Sequence, residues 1–270
     1  MVAHAMTTHL DRIVSHHRSR VVDDPRLTDL LVEKARAEPP ARGFADALRT
    51  PGVSVVAEVK RRSPSKGELA PNLDPVAMGM AYAEGGAACL SVLTDERFFG
   101  GSLDDLVRAR EASRLPVLRK DFTLSANDVC DARLAGADAV LLIVSVLDDT
   151  ELKELSAVAG ALGMACLVET HDEAELERAL SVGAELIGVN QRDLSDFSID
   201  PARAARLAKL IPDGVVGVAE SGITGGDDVR SMGEAGYDAV LVGEHLVRST
   251  DPVAALRELV LAGAEAPNCS

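Results

Sequence analysis

From residue 53 onward, short runs rich in valine, isoleucine, leucine and alanine alternate with longer amphipathic segments. This alternation is typical of repeated βα units built around a parallel sheet. The runs lie at Ser54–Lys60, Ala87–Leu93, Pro116–Lys120, Ala139–Val144, Ala165–Glu169, Leu186–Asn190, Val215–Glu220 and Ala239–Gly243. Eight strands favour a closed (β/α)8 barrel over an open doubly wound sheet, and no Gly-x-Gly-x-x-Gly motif follows the first run.

The length of the chain agrees with one barrel. Its 270 residues are close to the roughly 250 that are typical of this fold. We therefore predict a single domain over residues 1–270, with the barrel at residues 53–263 and an N-terminal helical extension at residues 1–50. Apolar segments around Leu10–Val14 and Leu27–Ala37 predict two helices of this extension, covering one end of the barrel.

The amino-acid composition argues against two classes of partner, nucleic acids and membranes. The net charge is −15, and the chain has no tryptophan, two tyrosines and five phenylalanines, which argues against a protein that binds nucleic acid. No run approaches the ~18 apolar residues of a membrane span, and the first ten residues lack the apolar core of an export signal. We expect a cytoplasmic monomer that binds neither nucleic acid nor membranes.

Four cysteines show no metal-ligand spacing and are expected to be buried apolar side chains, namely Cys89, Cys130, Cys166 and Cys269.

Polar side chains are concentrated where five of the predicted strands end. They are Glu58, Lys60, Lys120, Glu169, Asn190, Arg192, Glu220 and Ser221. Each of them alone could be a charge that reaches water at a strand end. In a (β/α)8 barrel, however, the carboxyl ends of all the strands meet at the active-site mouth. Three cations and three carboxylates would then balance in one partly desolvated cavity, an arrangement that shifts pKa values for proton transfer.

A phosphate site is predicted in the loops after the seventh and eighth runs. Barrels often bind phosphate there, at the N-terminus of a short helix. Gly222 and Gly243 would let backbone N–H groups approach the anion closely, and the backbone of Glu244 would contribute as well. The side chain of Glu244 must then turn away from the phosphate. Glycine-rich loops also occur without a ligand, so this signal is weaker than that of the strand ends.

A family resemblance adds to these observations. The run from Val56 to Gly67 resembles the first-strand signature of indole-3-glycerol-phosphate synthases. Later segments are similar to that family in the same order, at Leu93–Glu96, Phe99 with Gly101–Ser102, Leu118–Phe122, Leu167–Glu169, Gly188–Asn190, Arg192–Leu194, Ala219–Ile223 and Leu241–Glu244. The resemblance covers residues 5–263. Two neighbouring positions differ from it, with Gln191 where Asn or Ser is usual and Gly100 where a larger residue is frequent.

The resemblance implies the ring closure of 1-(2-carboxyphenylamino)-1-deoxyribulose 5-phosphate, with loss of CO₂ and water, and no cofactor or metal. Protonation of the sugar carbonyl calls for a general acid, and we expect Lys120, whose pKa neighbouring cations would lower. Lys60 would pair with the substrate carboxylate or assist the later loss of hydroxide. Glu169 would stabilise positive charge on the ring nitrogen and shuttle a proton. Glu58 would act as a base or hold Lys60.

The remaining residues would bind the substrate. Asn190 and Ser221 would orient its hydroxyl and carboxylate groups, with Arg192 and Glu220 behind them. Ser63 lies in a loop after the first strand that could close over the site. The aromatic ring would be enclosed by Phe99 and Phe122. No role is expected for the six histidines, which are His4, His9, His16, His17, His171 and His245.

Three other functions compete with this interpretation. A phosphate-binding sugar isomerase would have Asp or Cys in the first strand, where this chain has Glu58 and Lys60. A Schiff-base aldolase would use Lys120 or Lys60 as its nucleophile, and borohydride trapping would reveal it. A degenerate barrel that only binds a partner would not need charges at five strand ends.

Overall fold

The computed structural model describes residues 8–266, so His4 and Cys269 lie outside it. The strands in this range are β1 (Ser54–Val59), β2 (Arg62–Ser63), β3 (Gly67–Glu68), β4 (Cys89–Leu93), β5 (Val117–Lys120), β6 (Ala139–Ile143), β7 (Ala165–Thr170), β8 (Leu186–Asn190), β9 (Val216–Glu220) and β10 (Ala239–Val242).

The helices in the same range are α1 (His9–Val22), α2 (Thr28–Arg36), α3 (Phe44–Leu48), α4 (Pro75–Gly85), α5 (Glu96–Phe99), α6 (Leu103–Ser113), α7 (Ala126–Leu134), α8 (Asp149–Ala161), α9 (Glu173–Ser181), α10 (Pro201–Ala208), α11 (Gly226–Ala235), α12 (Glu244–Val247) and α13 (Pro252–Glu265).

Eight parallel strands form a closed barrel in the order β1-β10-β9-β8-β7-β6-β5-β4. β1 pairs with β10 on one side and with β4 on the other, which closes the sheet. Each predicted run overlaps one barrel strand, and the largest difference is at β4, which begins at Cys89 rather than Ala87. The predicted (β/α)8 barrel is confirmed. The short antiparallel pair of β2 and β3, in the loop after β1, was not predicted.

Local sequence explains where the helices begin and end. Asp148 caps α8 and Asp172 caps α9, each through a carboxylate that accepts from backbone N–H groups of the first turn. Gly86 and Gly236 end α4 and α11 with positive φ angles of 93° and 104°, a conformation that glycine adopts without strain. These short connections direct each chain segment back into the next strand.

The N-terminal extension contains the two predicted helices, α1 and α2, and a third, α3, that was not predicted. Phe44 and Leu48 of α3 are buried in the hydrophobic core. Arg26, between α1 and α2, donates to Asp131 of α7 at 2.7 Å. The extension is therefore packed against the barrel rather than detached from it.

The hydrophobic core is mostly aliphatic and is continuous through the barrel and its helices. Cys89 and Cys130 are buried, as expected, whereas Cys166 is partly exposed. Among residues 8–266, no helix is both long and apolar enough to cross a membrane. At the carboxyl ends of the strands the buried side chains are charged rather than apolar, and they include Glu58, Glu169 and Glu220.

Candidate active site

A cavity of about 660 Å³ opens at the carboxyl ends of the barrel strands. All fourteen residues singled out in the sequence line it, and they are Glu58, Lys60, Ser63, Phe99, Lys120, Phe122, Glu169, Asn190, Arg192, Glu220, Ser221, Gly222, Gly243 and Glu244. Strand ends and loops that are far apart in sequence therefore share one site, as barrel topology requires.

The base of the cavity is a buried cluster around Lys120, at the end of β5. Its ammonium lies 2.8 Å from Glu169 Oε2 and also donates to Glu220 Oε2. Asn190 Nδ2 donates to the other oxygen of Glu169 at 3.2 Å. Oε1 of Glu220 is buried and has no hydrogen-bond partner among residues 8–266. A Cβ atom on Gly188 of β8 would collide with this oxygen, so it faces Gly188 in the barrel interior.

The two carboxylates of this cluster have opposite pKa shifts. Burial raises the pKa of both, but at Glu169 the charges of Lys120 and His171 outweigh burial and lower the pKa to about 2. At Glu220, burial and the charge of Glu169 outweigh Lys120 and raise the pKa to about 7. The cluster thus combines a carboxylate that stays ionised with a carboxyl group that takes up a proton near neutral pH.

The expected lowering of the Lys120 pKa is wrong. Burial does oppose its charge, but Glu169 and Glu220 outweigh burial and raise the pKa of the ammonium. The sequence placed Lys120 among other cations, whereas the fold places it between two carboxylates. Lys120 is therefore fully protonated at neutral pH, because the negative charges of Glu169 and Glu220 stabilise its ammonium form.

A second lysine–carboxylate pair lies at the end of β1. Lys60 Nζ donates to Glu58 Oε1 at 2.5 Å, so the two side chains lie on the same face at the end of the strand. Ser91 Oγ donates to Glu58 Oε2 at 3.3 Å. A Cβ atom at Gly243 would lie 2.5 Å from Glu58 Oε1 and 3.0 Å from Lys60 Nζ. Gly243 is therefore needed to leave room for this pair.

The loop after β8 is joined to the loop after β9 through Asn190. Ser221 Oγ and the backbone N–H of Arg192 both donate to Asn190 Oδ1, at 2.8 and 3.0 Å. Ser221 has a positive φ of 66°, which is uncommon for a residue other than glycine. Gln191 Nε2 donates to the Ser221 carbonyl at 2.7 Å. The unusual Gln191 thus supports the backbone of Ser221 and is not among the cavity-lining residues.

The predicted phosphate end is formed by the loops after β9 and β10. Helix α12 begins at Glu244 with no side-chain cap, so its first N–H groups are available to an anion. The Glu244 carboxylate lies 3.5 Å from Arg248 Nε, one turn further along the chain. Arg248 also lines the cavity and was not singled out in the sequence. Its position in the turn after a four-residue helix gave no sequence signal.

The aromatic side of the cavity is connected to the N-terminal extension. Asp95 accepts from the backbone N–H of Phe99 and thereby caps α5, which fixes the backbone that carries this aromatic side chain. The ring of Phe122 lies 5.2 Å from that of His17 on α1, and His17 Nε2 is 2.8 Å from Asp95 Oδ2. His17, Asp95 and Asp121 present ligand-type atoms within 4.8 Å of one another. Asp121, however, already accepts from Thr94 and Arg119, so these groups form an ion-pair network.

Three histidines lie at or beside the site, although no role was predicted for them. His245 lines the cavity, His17 supports its aromatic side, and His171 Nε2 lies 3.5 Å from Glu169 Oε1. His171 follows Glu169 by two residues, so strand periodicity could have placed both on one face. His17 carried no such signal, because its partner Asp95 is 78 residues away in sequence.

Comparisons with known proteins agree with this geometry. Residues 10–259 match the family described as indole-3-glycerol phosphate synthase. Indole-3-glycerol phosphate synthase 2 of Streptomyces coelicolor is 53% identical over 230 residues, covering 85% of this chain and 89% of that protein. Indole-3-glycerol phosphate synthase of Mycobacteroides abscessus is 48% identical over 264 residues, covering 97% of each chain.

Solved structures with low sequence identity share the fold alone. Thiamine phosphate pyrophosphorylase from Pyrococcus furiosus has a TM-score of 0.60 at 18% identity, covering 79% of this chain and 96% of that one. A 3-hexulose-6-phosphate synthase has a TM-score of 0.59 at 17% identity, covering 78% of this chain and 99% of that one.

Proposed function

This chain belongs to the indole-3-glycerol phosphate synthase family, and we propose which of its residues carry out the reaction. The enzyme is a carboxy-lyase of tryptophan biosynthesis that closes the ring of 1-(2-carboxyphenylamino)-1-deoxyribulose 5-phosphate. CO₂ and water leave, and indole-3-glycerol phosphate is the product. We also propose that it acts in the cytoplasm.

Lys120 is the general acid of ring closure. The aromatic carbon attacks the sugar carbonyl, and the carbonyl oxygen takes a proton from the Lys120 ammonium as the carbon–carbon bond forms. The support is that Lys120 lines the cavity as a protonated group held by two buried carboxylates. Glu220, whose pKa is raised to about 7, lies in contact with the resulting amine and can return a proton to it. This arrangement replaces the lowered lysine pKa expected from the sequence.

Glu169 acts on the ring nitrogen side of the substrate. Its carboxylate remains ionised, and this charge stabilises the positive charge that develops on the nitrogen before CO₂ leaves. Departure of CO₂ from the ring carbon leaves its bonding electron pair in the ring, which neutralises that charge. Glu169 then shuttles a proton during the loss of water.

Lys60 and Glu58 act together at the end of β1. The Lys60 ammonium, which lines the cavity, pairs with the substrate carboxylate or assists the later loss of hydroxide. Glu58 orients Lys60 through the 2.5 Å hydrogen bond. Ser63, in the loop after β1, covers the bound substrate, and Phe99 and Phe122 enclose its aromatic ring.

The phosphate is bound by the loops after β9 and β10, where backbone groups of Gly222, Gly243 and Glu244 meet the anion. Arg192 and Arg248 add positive charge in a chain whose net charge is −15. Asn190 and Ser221, joined by their 2.8 Å hydrogen bond, orient the sugar hydroxyls, and Asn190 also contacts Glu169 of the cavity base.

The observation that carries this assignment is the convergence of Lys120, Glu169 and Glu220 in one buried cluster at the cavity base. Purified protein should convert the carboxyphenylamino sugar phosphate with equal amounts of CO₂ and indole product, the latter recorded by fluorescence. Borohydride added during turnover should leave every lysine unmodified. No product at high enzyme concentration would contradict the assignment, and a trapped lysine would favour the aldolase chemistry.

A further inference from the structure

His171 is a buried histidine whose two ring nitrogens face two different carboxylates. It lies directly after β7 and is 9% exposed. Its Nδ1 is 2.9 Å from Glu175 Oε2, and its backbone N–H donates to the same oxygen at 2.8 Å. A carboxylate only accepts hydrogen bonds, so Glu175 fixes a proton on Nδ1. The ring orientation and the tautomer are both determined by this contact.

The other nitrogen, Nε2, faces the cavity base. It is buried, has no hydrogen-bond partner among residues 8–266, and lies 3.5 Å from Glu169 Oε1. A neutral ring with its proton on Nδ1 would direct an Nε2 lone pair at an ionised carboxylate, which is repulsive. A proton on Nε2, or on Glu169, removes this repulsion. The geometry therefore favours one proton shared between His171 and Glu169.

The charged groups around His171 agree with this protonation. Burial alone would lower the pKa of the ring, but the hydrogen bond to Glu175 and the charges of Glu169 and Glu175 raise it above its ordinary value. Arg203 on α10 opposes the rise, and Asp193 in the loop after β8 is a further charged neighbour. These charges favour the imidazolium form of His171 beside an ionised Glu169, and this is the resting pair in the proposal that follows.

We propose that His171 stores the proton that Glu169 shuttles, an inference that rests on the proposed role of Glu169. As the hydroxyl group leaves, the Nε2–H bond of His171 breaks and an O–H bond forms on Glu169. That O–H bond then breaks as Glu169 passes the proton to the hydroxyl group, which departs as water, and the pair is left as a neutral imidazole beside an ionised Glu169. When the five-membered ring loses a proton to Glu169, that proton returns to Nε2. The pair begins and ends with one proton, and the Nδ1 proton held by Glu175 does not move.

The first test separates decarboxylation from loss of water in a single turnover. With His171→Gln, we expect CO₂ release within about twofold of the wild-type rate and indole formation slowed by about tenfold or more. Equal slowing of both, or of neither, would overturn the proposal. If Lys60→Met delays indole formation after CO₂ release and His171→Gln does not, the proton comes from Lys60 instead.

A second pair of variants tests the charge of Glu175. Glu175→Gln removes a charge that raises the His171 pKa, so the imidazolium is lost at lower pH and the alkaline limb of the indole-formation rate should move to lower pH. Glu177→Gln, an exposed position on the same helix, should leave that limb unchanged. An unmoved limb in Glu175→Gln would contradict the proposal even if His171→Gln folds poorly.

Glu169→Gln distinguishes failure of this inference from failure of the function proposed for Glu169. If Glu169→Gln leaves indole formation at the wild-type rate, the role of Glu169 itself is wrong. If Glu169→Gln is slow and His171→Gln is normal, the role of Glu169 stands and the proton store is wrong.

Discussion

The two ends of the cavity are built in different ways. The base consists of side chains whose charges are buried together, with Lys120 between Glu169 and Glu220. The phosphate end consists mainly of backbone, in the glycine-containing loops that precede α11 and α12, with Arg248 at its edge. Buried charges shift the pKa values of neighbouring groups, which favours proton transfer. Backbone N–H groups carry partial positive charges in fixed positions, which favours anion binding. We therefore expect substitutions at the base to change kcat and those at the phosphate end to change KM.

The largest effect is expected from Lys120→Met. It should abolish ring closure while substrate affinity stays within about tenfold, or about 1.4 kcal/mol, because the lost proton donor acts mainly in the transition state. Steady-state rates and calorimetric binding measure the two quantities. Lys120→Arg, which keeps the charge beside Glu169 and Glu220, controls for loss of folding. An inactive Lys120→Met that also bound poorly would make Lys120 chiefly a binding residue.

Valine substitutions at two glycines should separate the ends of the cavity. Gly222 has a positive φ of 80°, and Gly222→Val should raise KM and weaken competition by inorganic phosphate. Gly243→Val should raise KM and also lower kcat, because its side chain would displace Glu58 and Lys60. Both effects should exceed that of any surface-charge change. Normal KM and unchanged phosphate competition in both variants would place the anion elsewhere, with Lys66 in the loop after β1 as the next candidate.

A smaller effect is expected at the edge of the phosphate end. Arg248→Gln should raise KM by several-fold and leave kcat unchanged, because a partly exposed cation contributes modest binding energy. Arg257→Gln, at another exposed arginine that pairs with Glu84, makes the same change in net charge and should leave KM unaltered. Equal KM values for the two variants would show that only the overall charge matters.

The smallest effect concerns stability. In the folded protein the pKa of Glu220 is raised from 4.5 to about 7, so the native state binds more protons than the unfolded state between these values. Its contribution to the free energy of unfolding therefore falls as pH rises through this window. Urea unfolding at several pH values should show a shallower fall for Glu220→Gln than for the wild type. Parallel curves would mean that Glu220 is ionised throughout.

Most of the fold could be predicted because the strands of a barrel are buried on both faces and appear as apolar runs. The end of each run also revealed the site, since polar residues such as Glu169 are unusual there. What could not be predicted depends on contacts between distant segments. The partners of Lys120 come from β7 and β9, and their charges reverse the expected pKa shift. The short helix α3 and the contact of His17 with Asp95 depend equally on tertiary packing.

We assign catalysis to the cavity base and anion binding to the phosphate end. Single-turnover indole formation with enzyme in excess, measured for both Lys120→Met and Arg248→Gln, tests this assignment most directly. At saturating enzyme, Arg248→Gln should reach the wild-type rate, because only binding is weakened, and Lys120→Met should form no indole product. A substantial rate in Lys120→Met, or a rate in Arg248→Gln that stays low at every enzyme concentration, would contradict the assignment of chemistry to the charged base and anion binding to the phosphate end.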